Sequence, residues 1–482
     1  MSSNYTKFYI DGAWVEPLAP NHFDVINPAT EEAAGQVSLG SAADVDAAVK
    51  AARRAFETFA LTTKTERLDL LASIIAAFEK RFDDLAEVIT AEMGSPLWFA
   101  KQVQTNTTLD HFKEAHRVLK SYDFGHMLSD TTRILREPIG VCGFITPWNW
   151  PINQIASKFA PALAAGCTAV VKPSEIAPLS AILLTEVIHE AGVPKGVFNL
   201  VNGDGPTVGE AISSHPDIDM VSFTGSTRAG ILVAKSAAET VKRVHQELGG
   251  KSANIIVPGA DLAKAIPAGV LRSFTNTGQS CQAPTRMLVH RDQLEEVLEI
   301  AKKTAEGVVV GDPLADGTRL GPLVSKAQFD RVQHLIGVGI NEGARVVIGG
   351  QGRPPGLNRG YYVRPTIFAD VTPEMTLAQQ EIFGPVLSIL SYKDEDDAVA
   401  IANGTVYGLA GYVWAGSLEK AREIGGRLRA GRIYLNGAPH DKLQDVEAPF
   451  GGYKQSGNGR EAGIYGLEDF LEIKAMIGYE AA

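Results

Sequence analysis

Apolar residues recurring at steps of three and four mark the first quarter of the chain as helical. Val45, Val49, Ala52, Phe56 and Phe59 fall on one helix face, and Ser41 with Asp44 forms a capping pair ahead of them. Leu68, Leu71, Ile75, Phe78 and Phe82 repeat the stripe, and a third helix is predicted over about 99–122. Before them, residues 5–30 alternate aromatic and polar positions around Asp11-Gly12, the signature of a short hairpin. Residues 123–138 break the helical texture with Gly125, Ser129, Thr131 and Thr132, and alternate Ile134 with Arg136, as a strand that leaves its surroundings to pair elsewhere would.

Short apolar runs then alternate with helical ones, at 139–145, 169–171, 197–201, 220–223 and 255–257. Strand and helix in alternation predict a parallel sheet covered on both faces, the doubly wound α/β architecture. A second series of helices and strands is expected from about 262 to 446, with strands at 286–289, 307–310, 344–348 and 386–390, giving a second α/β domain. No internal repeat, low-complexity run or Gly/Ser linker separates the two series, so they should pack against each other.

Composition narrows the function classes. The 482 residues, 45% apolar and 21% charged, suffice for a large core. A net charge of -11 and no basic run interleaved with aromatics argue against nucleic acid as a partner. No stretch reaches the roughly 18 uninterrupted apolar residues of a membrane span, and residues 1–8 lack an apolar signal core, so no membrane partner and a cytoplasmic location are expected. Three cysteines cannot frame a chain of this length with disulfides; Cys142 and Cys167 lie in apolar runs that read as core, which fits a reducing compartment. No metal site is expected.

Candidate chemistry concentrates between Glu247 and Cys281. Glu247-Leu248-Gly249-Gly250-Lys251 and Gly278-Gln279-Ser280-Cys281 put a carboxylate and a thiol in glycine-containing segments typical of tight turns. A thiolate can attack a carbonyl and hold the product as a thioester, and a partly buried carboxylate can activate the water that releases it. Phe223-Thr224-Gly225-Ser226 follows a predicted strand and opens a helix, where backbone N–H groups and a serine hydroxyl can meet a phosphate, although the spacing is not G-x-G-x-x-G. Lys172-Pro173-Ser174-Glu175 ends another strand, where a carboxylate can accept ribose hydroxyls; a surface ion pair is the equal alternative. In Pro147-Trp148-Asn149-Trp150-Pro151 the prolines fix the backbone, making Asn149 the available amide donor, suited to an oxyanion hole or to satisfying its own turn.

These segments, with Glu381-Ile382-Phe383-Gly384-Pro385-Val386 and Pro449-Phe450-Gly451-Gly452-Tyr453-Lys454, occur in the order found in the aldehyde dehydrogenase superfamily, and the chain resembles that family over nearly its whole length. The resemblance implies a Rossmann-like NAD-binding domain (1–122 and 139–248), a catalytic domain (249–447) and a small oligomerisation element (123–138 and 448–482), in a homodimer or homotetramer. It implies Cys281 as nucleophile, Glu247 as general base, and Asn149 with the backbone N–H of Cys281 as oxyanion hole. The adenosine ribose would meet Lys172 and Glu175, the pyrophosphate Ser226, and the nicotinamide ribose Glu381 with Phe383 beside the ring. Ile145, Thr146, Trp148, Ser174, Gly225 and Leu248 would complete the cofactor crevice. NAD is expected ahead of NADP because Glu175 would repel a 2′-phosphate. A glutamate at 247 favours hydrolysis over transfer to CoA, and thiol and base together disfavour a non-enzymatic relative. A cysteine hydrolase of another fold would need a histidine to activate Cys281, and none of the 10 histidines falls in the surrounding motifs.

The expected acyl channel holds Trp150, Asn153, Gln154 and Ser157 after Asn149, with Ser280 and Gln282 flanking the thiol. A serine at 157 leaves room and the amides offer hydrogen bonds. A bulky aldehyde, aromatic or with a distal polar group, is therefore the expected substrate, unless this helix turns the face away from the channel.

Overall fold

The computed structural model describes residues 3–438 and 445–480. Its largest sheet has eight strands in the order Gly457–Asn458, Arg243–Glu247, Met220–Thr224, Val141–Ile145, Thr168–Lys172, Phe198–Leu200, Phe8–Ile10, Ala13–Val15. The five central strands are parallel. Chain order runs outward in both directions from Val141–Ile145, so the sheet reverses between that strand and Met220–Thr224 and leaves a crevice at their carboxyl ends. Apolar clusters on both faces, one including the wholly buried helix Pro151–Ala165 and the other Val45, Val49 and Ala52, explain why the strands read as continuous apolar runs.

The second sheet has seven strands, Arg345–Ile348, Thr366–Ala369, Val386–Tyr392, Arg286–His290, Ala253–Ile256, Ala410–Trp414 and Arg432–Leu435, all parallel except the first. Two expectations need correction here. The run at 255–257 belongs to this sheet rather than to the first series: an apolar run announces a buried strand but not its neighbours. Residues 307–310 form no strand; Gly307 ends the helix Leu294–Glu306, and Val310 makes only one bridge, to Leu320, while Val308 and Val310 pack on the adjacent core.

The capping box at Ser41 and Asp44 opens the helix Ala42–Phe59 as its sequence predicts. The stripe from Leu68 to Phe82 is split, because the chain leaves helical geometry at Arg81 between Lys64–Lys80 and Phe82–Met93. The third helix, Asn106–Ser121, is preceded by a wider turn at Ala100–Thr105. Residues 125–129 and 132–138 form a hairpin, and Leu471–Ile477 adds to it as a third antiparallel strand. Met127, Leu128, Ile473 and Ile477 are exposed along this small sheet. No helix among the described residues is long and apolar enough to cross a membrane.

Candidate active site

Parallel strands bring the sequence motifs to one edge. Ile145, Lys172, Thr224 and Glu247 are the carboxyl-terminal residues of four strands of the first sheet. Glu247 thus ends a strand, and the turn begins only at Leu248. Two close approaches lock this junction. A Cβ on Gly457 would lie 1.9 Å from the Gln246 carbonyl, and one on Gly250 would lie 2.3 Å from the Cys281 carbonyl, so only glycine lets those backbones meet. Ser456 holds the turn: its Oγ donates to the Gly249 carbonyl (2.6 Å) and its carbonyl accepts from the Leu248 N–H (2.9 Å).

Cys281 follows a strained segment in which Asn276 and Thr277 both have φ of 56°, a conformation costly for a β-branched residue. The Asn276 amide stabilises it by donating to the carbonyls of Asn149 (2.9 Å) and Gln279 (3.1 Å). Asn149 Nδ2 donates to Gln279 O (3.1 Å), which fixes the amide two residues from the thiol and leaves its second hydrogen for a ligand. Trp150 Nε1 donates to Ser280 Oγ at 3.1 Å. The thiol is half-buried; burial, then the Glu381 and Glu247 carboxylates, raise its pKa, against backbone N–H groups of residues 281 and 282. Cys142 and Cys167 are fully buried, as their apolar contexts predict.

Trp150, Asn153, Gln154, Ser157, Ser280 and Gln282 line one cleft of about 560 Å³ with Cys281. The helix Pro151–Ala165 therefore turns this polar face toward the thiol. Asn153 Nδ2 and Gln154 Oε1 are buried there without hydrogen-bond partners. His111, Arg432, Phe450 and Glu461 complete the walls. Burial, reinforced by the cations Arg432 and Lys158 and opposed by Glu461, pushes the His111 pKa down to about 4 and keeps the ring neutral.

The crevice between the reversing strands gathers the candidate cofactor residues. Thr146 Oγ1 is buried and unpartnered. Ser226 caps the helix Thr227–Ala238, its Oγ accepting from Ala229 N (3.3 Å), and Gly225 N donates to Glu247 O (3.0 Å). Glu175 lies 3.7 Å from Lys172 Nζ, but that ammonium donates to the carbonyls of Pro173 and Gly203 (2.8 Å each), so Lys172 also braces the surrounding loops. Ser174 is buried, its Oγ accepting from Ile176 N. Across the crevice Glu381 Oε1 accepts from Gly250 N (2.9 Å); burial pushes its pKa to about 7. Phe383, at φ 61°, packs edge-on against Trp148 with ring centroids 5.3 Å apart.

Behind Glu247 lies a set of charges that the sequence motifs do not reveal. Glu247 is buried with both carboxylate oxygens free of hydrogen-bond partners, and His245 Nε2 stands 3.5 Å from Oε1. His245 Nδ1 bonds Asp469. Lys158 bonds Glu461 and donates to Thr224 Oγ1 at 2.8 Å. Burial, with the Glu461 charge adding and His245 and Lys158 opposing, pushes the Glu247 pKa to about 7. Two histidines outside those motifs nevertheless stand near the site. His245 precedes the Glu247 motif by two residues, and His111 reaches the cleft from a distant helix; the strand's period of two was the available signal for the first.

The sequence matches the aldehyde dehydrogenase family over residues 14–476. A relative named 3-succinoylsemialdehyde-pyridine dehydrogenase, from a Pseudomonas species, is 56% identical over 99% of this chain and 100% of its own. Among solved structures, a cysteine-to-alanine mutant of aldehyde dehydrogenase C from Pseudomonas syringae, in complex with NAD+ and octanal, is 52% identical with a TM-score of 0.97, covering 99% of this chain and 97% of that one. A Mycobacterium tuberculosis aldehyde dehydrogenase complexed with NAD+ is 41% identical with a TM-score of 0.96 over 99% of each chain. The chain belongs to the aldehyde dehydrogenase family and is an NAD(P)-dependent aldehyde dehydrogenase with that family's fold.

Proposed function

We propose that this enzyme oxidises a bulky aldehyde to its carboxylic acid through a covalent Cys281 intermediate that Glu247 hydrolyses, with NAD+ as acceptor. The carrying observation is the convergence of Cys281, Asn149 and Glu247 on one site beside a polar cleft. Cys281 gives up its thiol proton to solvent water as Sγ adds to the carbonyl carbon, and the resulting oxyanion receives hydrogen bonds from Asn149 Nδ2 and the Cys281 N–H. The chemistry that NAD+ supplies when bound is acceptance of the hydride from that carbon, which leaves a thioester on Cys281. Glu247 then takes a proton from water, whose oxygen adds to the thioester carbonyl; collapse expels the thiolate and frees the acid.

The crevice fits a dinucleotide: an orphaned hydroxyl at Thr146, a helix N-terminus at Ser226, and carboxylates at Glu175 and Glu381 suit phosphate and ribose groups. Ile145, Trp148, Ser174, Gly225, Leu248 and Phe383 would line it. The NAD+ complexes of the two structural relatives support the same cofactor. NAD+ is preferred over NADP+ because a 2′-phosphate would meet the Glu175 carboxylate. Glu175→Gln is expected to narrow the ratio of kcat/KM for the two cofactors about tenfold, equivalent to about 1.4 kcal/mol; an unchanged ratio would remove Glu175 as discriminator.

The first sheet would form the NAD-binding domain (1–122 and 139–248), the second the catalytic domain (249–447), and 123–138 with 448–482 the oligomerisation element. The exposed apolar residues of the small sheet support a homodimer or homotetramer. The three free cysteines favour a reducing compartment such as the cytoplasm.

For the substrate, orphaned Asn153 Nδ2 and Gln154 Oε1 favour a distal polar or heteroaromatic group, in keeping with the semialdehyde-pyridine in the name of the Pseudomonas relative. The octanal bound by the other relative supports a cleft that takes long chains. NADH formation with aromatic, ω-polar and long and short aliphatic aldehydes tests the reading; a clear preference for acetaldehyde would overturn the size claim. Ser157→Trp should lower kcat/KM for large aldehydes about tenfold or more and spare small ones. Equal losses for both classes would mean that Ser157 does not limit substrate size.

A further inference from the structure

The strand Arg243–Glu247 carries Arg243, His245 and Glu247 on one face, because alternate residues of a strand point the same way. Arg243 donates to the carbonyls of Asp469 (2.7 Å) and Leu471 (3.0 Å) and pairs with Glu472, docking the C-terminal segment along the strand. That segment delivers Asp469 to His245 Nδ1. The other ring nitrogen faces Glu247 Oε1 at 3.5 Å, and neither of these atoms has a hydrogen-bond partner of its own. Asp469, His245 and Glu247 thus form one line from a partly exposed carboxylate, through a buried imidazole, to the candidate base.

We propose that His245, clamped by Asp469, is the positioning residue of Glu247, holding its carboxylate aligned for water activation and setting the pH at which the thioester is hydrolysed. The inference rests on the reading of Glu247 as the base and adds to it a dedicated orienting pair. The other charged groups around the imidazole are Lys158 from the buried helix, Arg460 and Glu461 from the C-terminal segment, which pack beside it, and Arg243 along its own strand. Burial works against a charged ring, but the carboxylates of Asp469 and Glu247 outweigh it and raise the His245 pKa to about 9, so the ring is an imidazolium near neutrality. A cation there favours the ionised form of Glu247, whose own pKa is about 7. Loss of that cation should shift the Glu247 titration upward.

The test is pre-steady-state kinetics of the full-length enzyme with NAD+ and a generic aldehyde in excess, reading the NADH burst and the slower, hydrolysis-limited phase across pH. In His245→Gln the burst should persist while the acid limb of hydrolysis moves up by about one unit, a roughly tenfold loss below it. Asp469→Asn should move the limb the same way, by less. NAD+ binding and Tm identify a misfolded variant, and Asp469→Asn, altered at the more exposed end, gives an independent reading. If Glu247→Gln removes the limb and both other variants keep it where the wild type has it, the positioning role is wrong and the base assignment stands. If Glu247→Gln hydrolyses the thioester with the wild-type profile, the base assignment fails and the orienting pair has nothing to orient.

Discussion

Cys281→Ala is expected to abolish aldehyde oxidation while NAD+ still binds. The loss should be on the order of 10⁶-fold in kcat, the scale seen when a covalent nucleophile is removed from an enzyme. The site offers no substitute. Cys142 and Cys167 are wholly buried within the first sheet's core, and Ser280 beside the thiol receives its hydrogen bond from Trp150 Nε1, with no base arranged to ionise it. The substitution removes one sulfur from a half-buried position and disturbs none of the bonds that Asn276 and Asn149 make to the strained loop. Binding of NAD+, read by fluorescence, should therefore stay near that of the wild type. Substantial NADH formation by the alanine variant would end the covalent mechanism, and loss of activity in Cys142→Ala with unchanged Tm would move the nucleophile elsewhere.

The raised pKa of this thiol bears on how the enzyme rests. Burial and two carboxylates keep Cys281 protonated in the free protein, whereas the backbone N–H groups of residues 281 and 282 favour the thiolate. A thiol held in this way is protected from adventitious oxidation, since the thiolate is the reactive form.

The fold was legible in the chain wherever a local pattern has one structural solution. The capping box at Ser41, the alternation of apolar strand and amphipathic helix, and the excursion at 123–138 are all such patterns, and apart from the missing strand at 307–310 each appears where the sequence puts it. Patterns that depend on distant neighbours were not legible. The apolar run at 255–257 reads as a buried strand in either sheet, and only its pairing with Arg286–His290 and Ala410–Trp414 assigns it to the second. The two-residue strand Gly457–Asn458 has no apolar signature, yet it fixes the backbone of Glu247. The same division holds at the site. Carboxylate, thiol and amide each sit in a short segment with local punctuation, whereas His245 meets Asp469 across 224 positions and His111 comes from a helix whose stripe reads only as core.

Glu247→Gln is expected to separate the two halves of the reaction. The amide keeps the shape of the side chain but cannot accept a proton, so thioester formation should continue and hydrolysis should fall by about 10² to 10⁴-fold. The observable is a burst of NADH equal to the enzyme concentration followed by slow turnover. The pH dependence sharpens the test. Burial lifts the Glu247 pKa to about 7, so the carboxylate is ionised above that value and increasingly protonated below it. Wild-type hydrolysis should therefore decline as pH falls through about 7, and the glutamine variant should lack that limb because it has no group to titrate there. Glu381, whose pKa burial also pushes to about 7, is another group that could imitate the limb. In the proposed cofactor arrangement it meets the nicotinamide ribose, so its protonation should appear in NAD+ binding, not in the hydrolytic phase. A glutamine variant with slow hydride transfer and unimpaired hydrolysis would assign Glu247 to the first half-reaction, where its nearness to Cys281 would make it the base for the thiol.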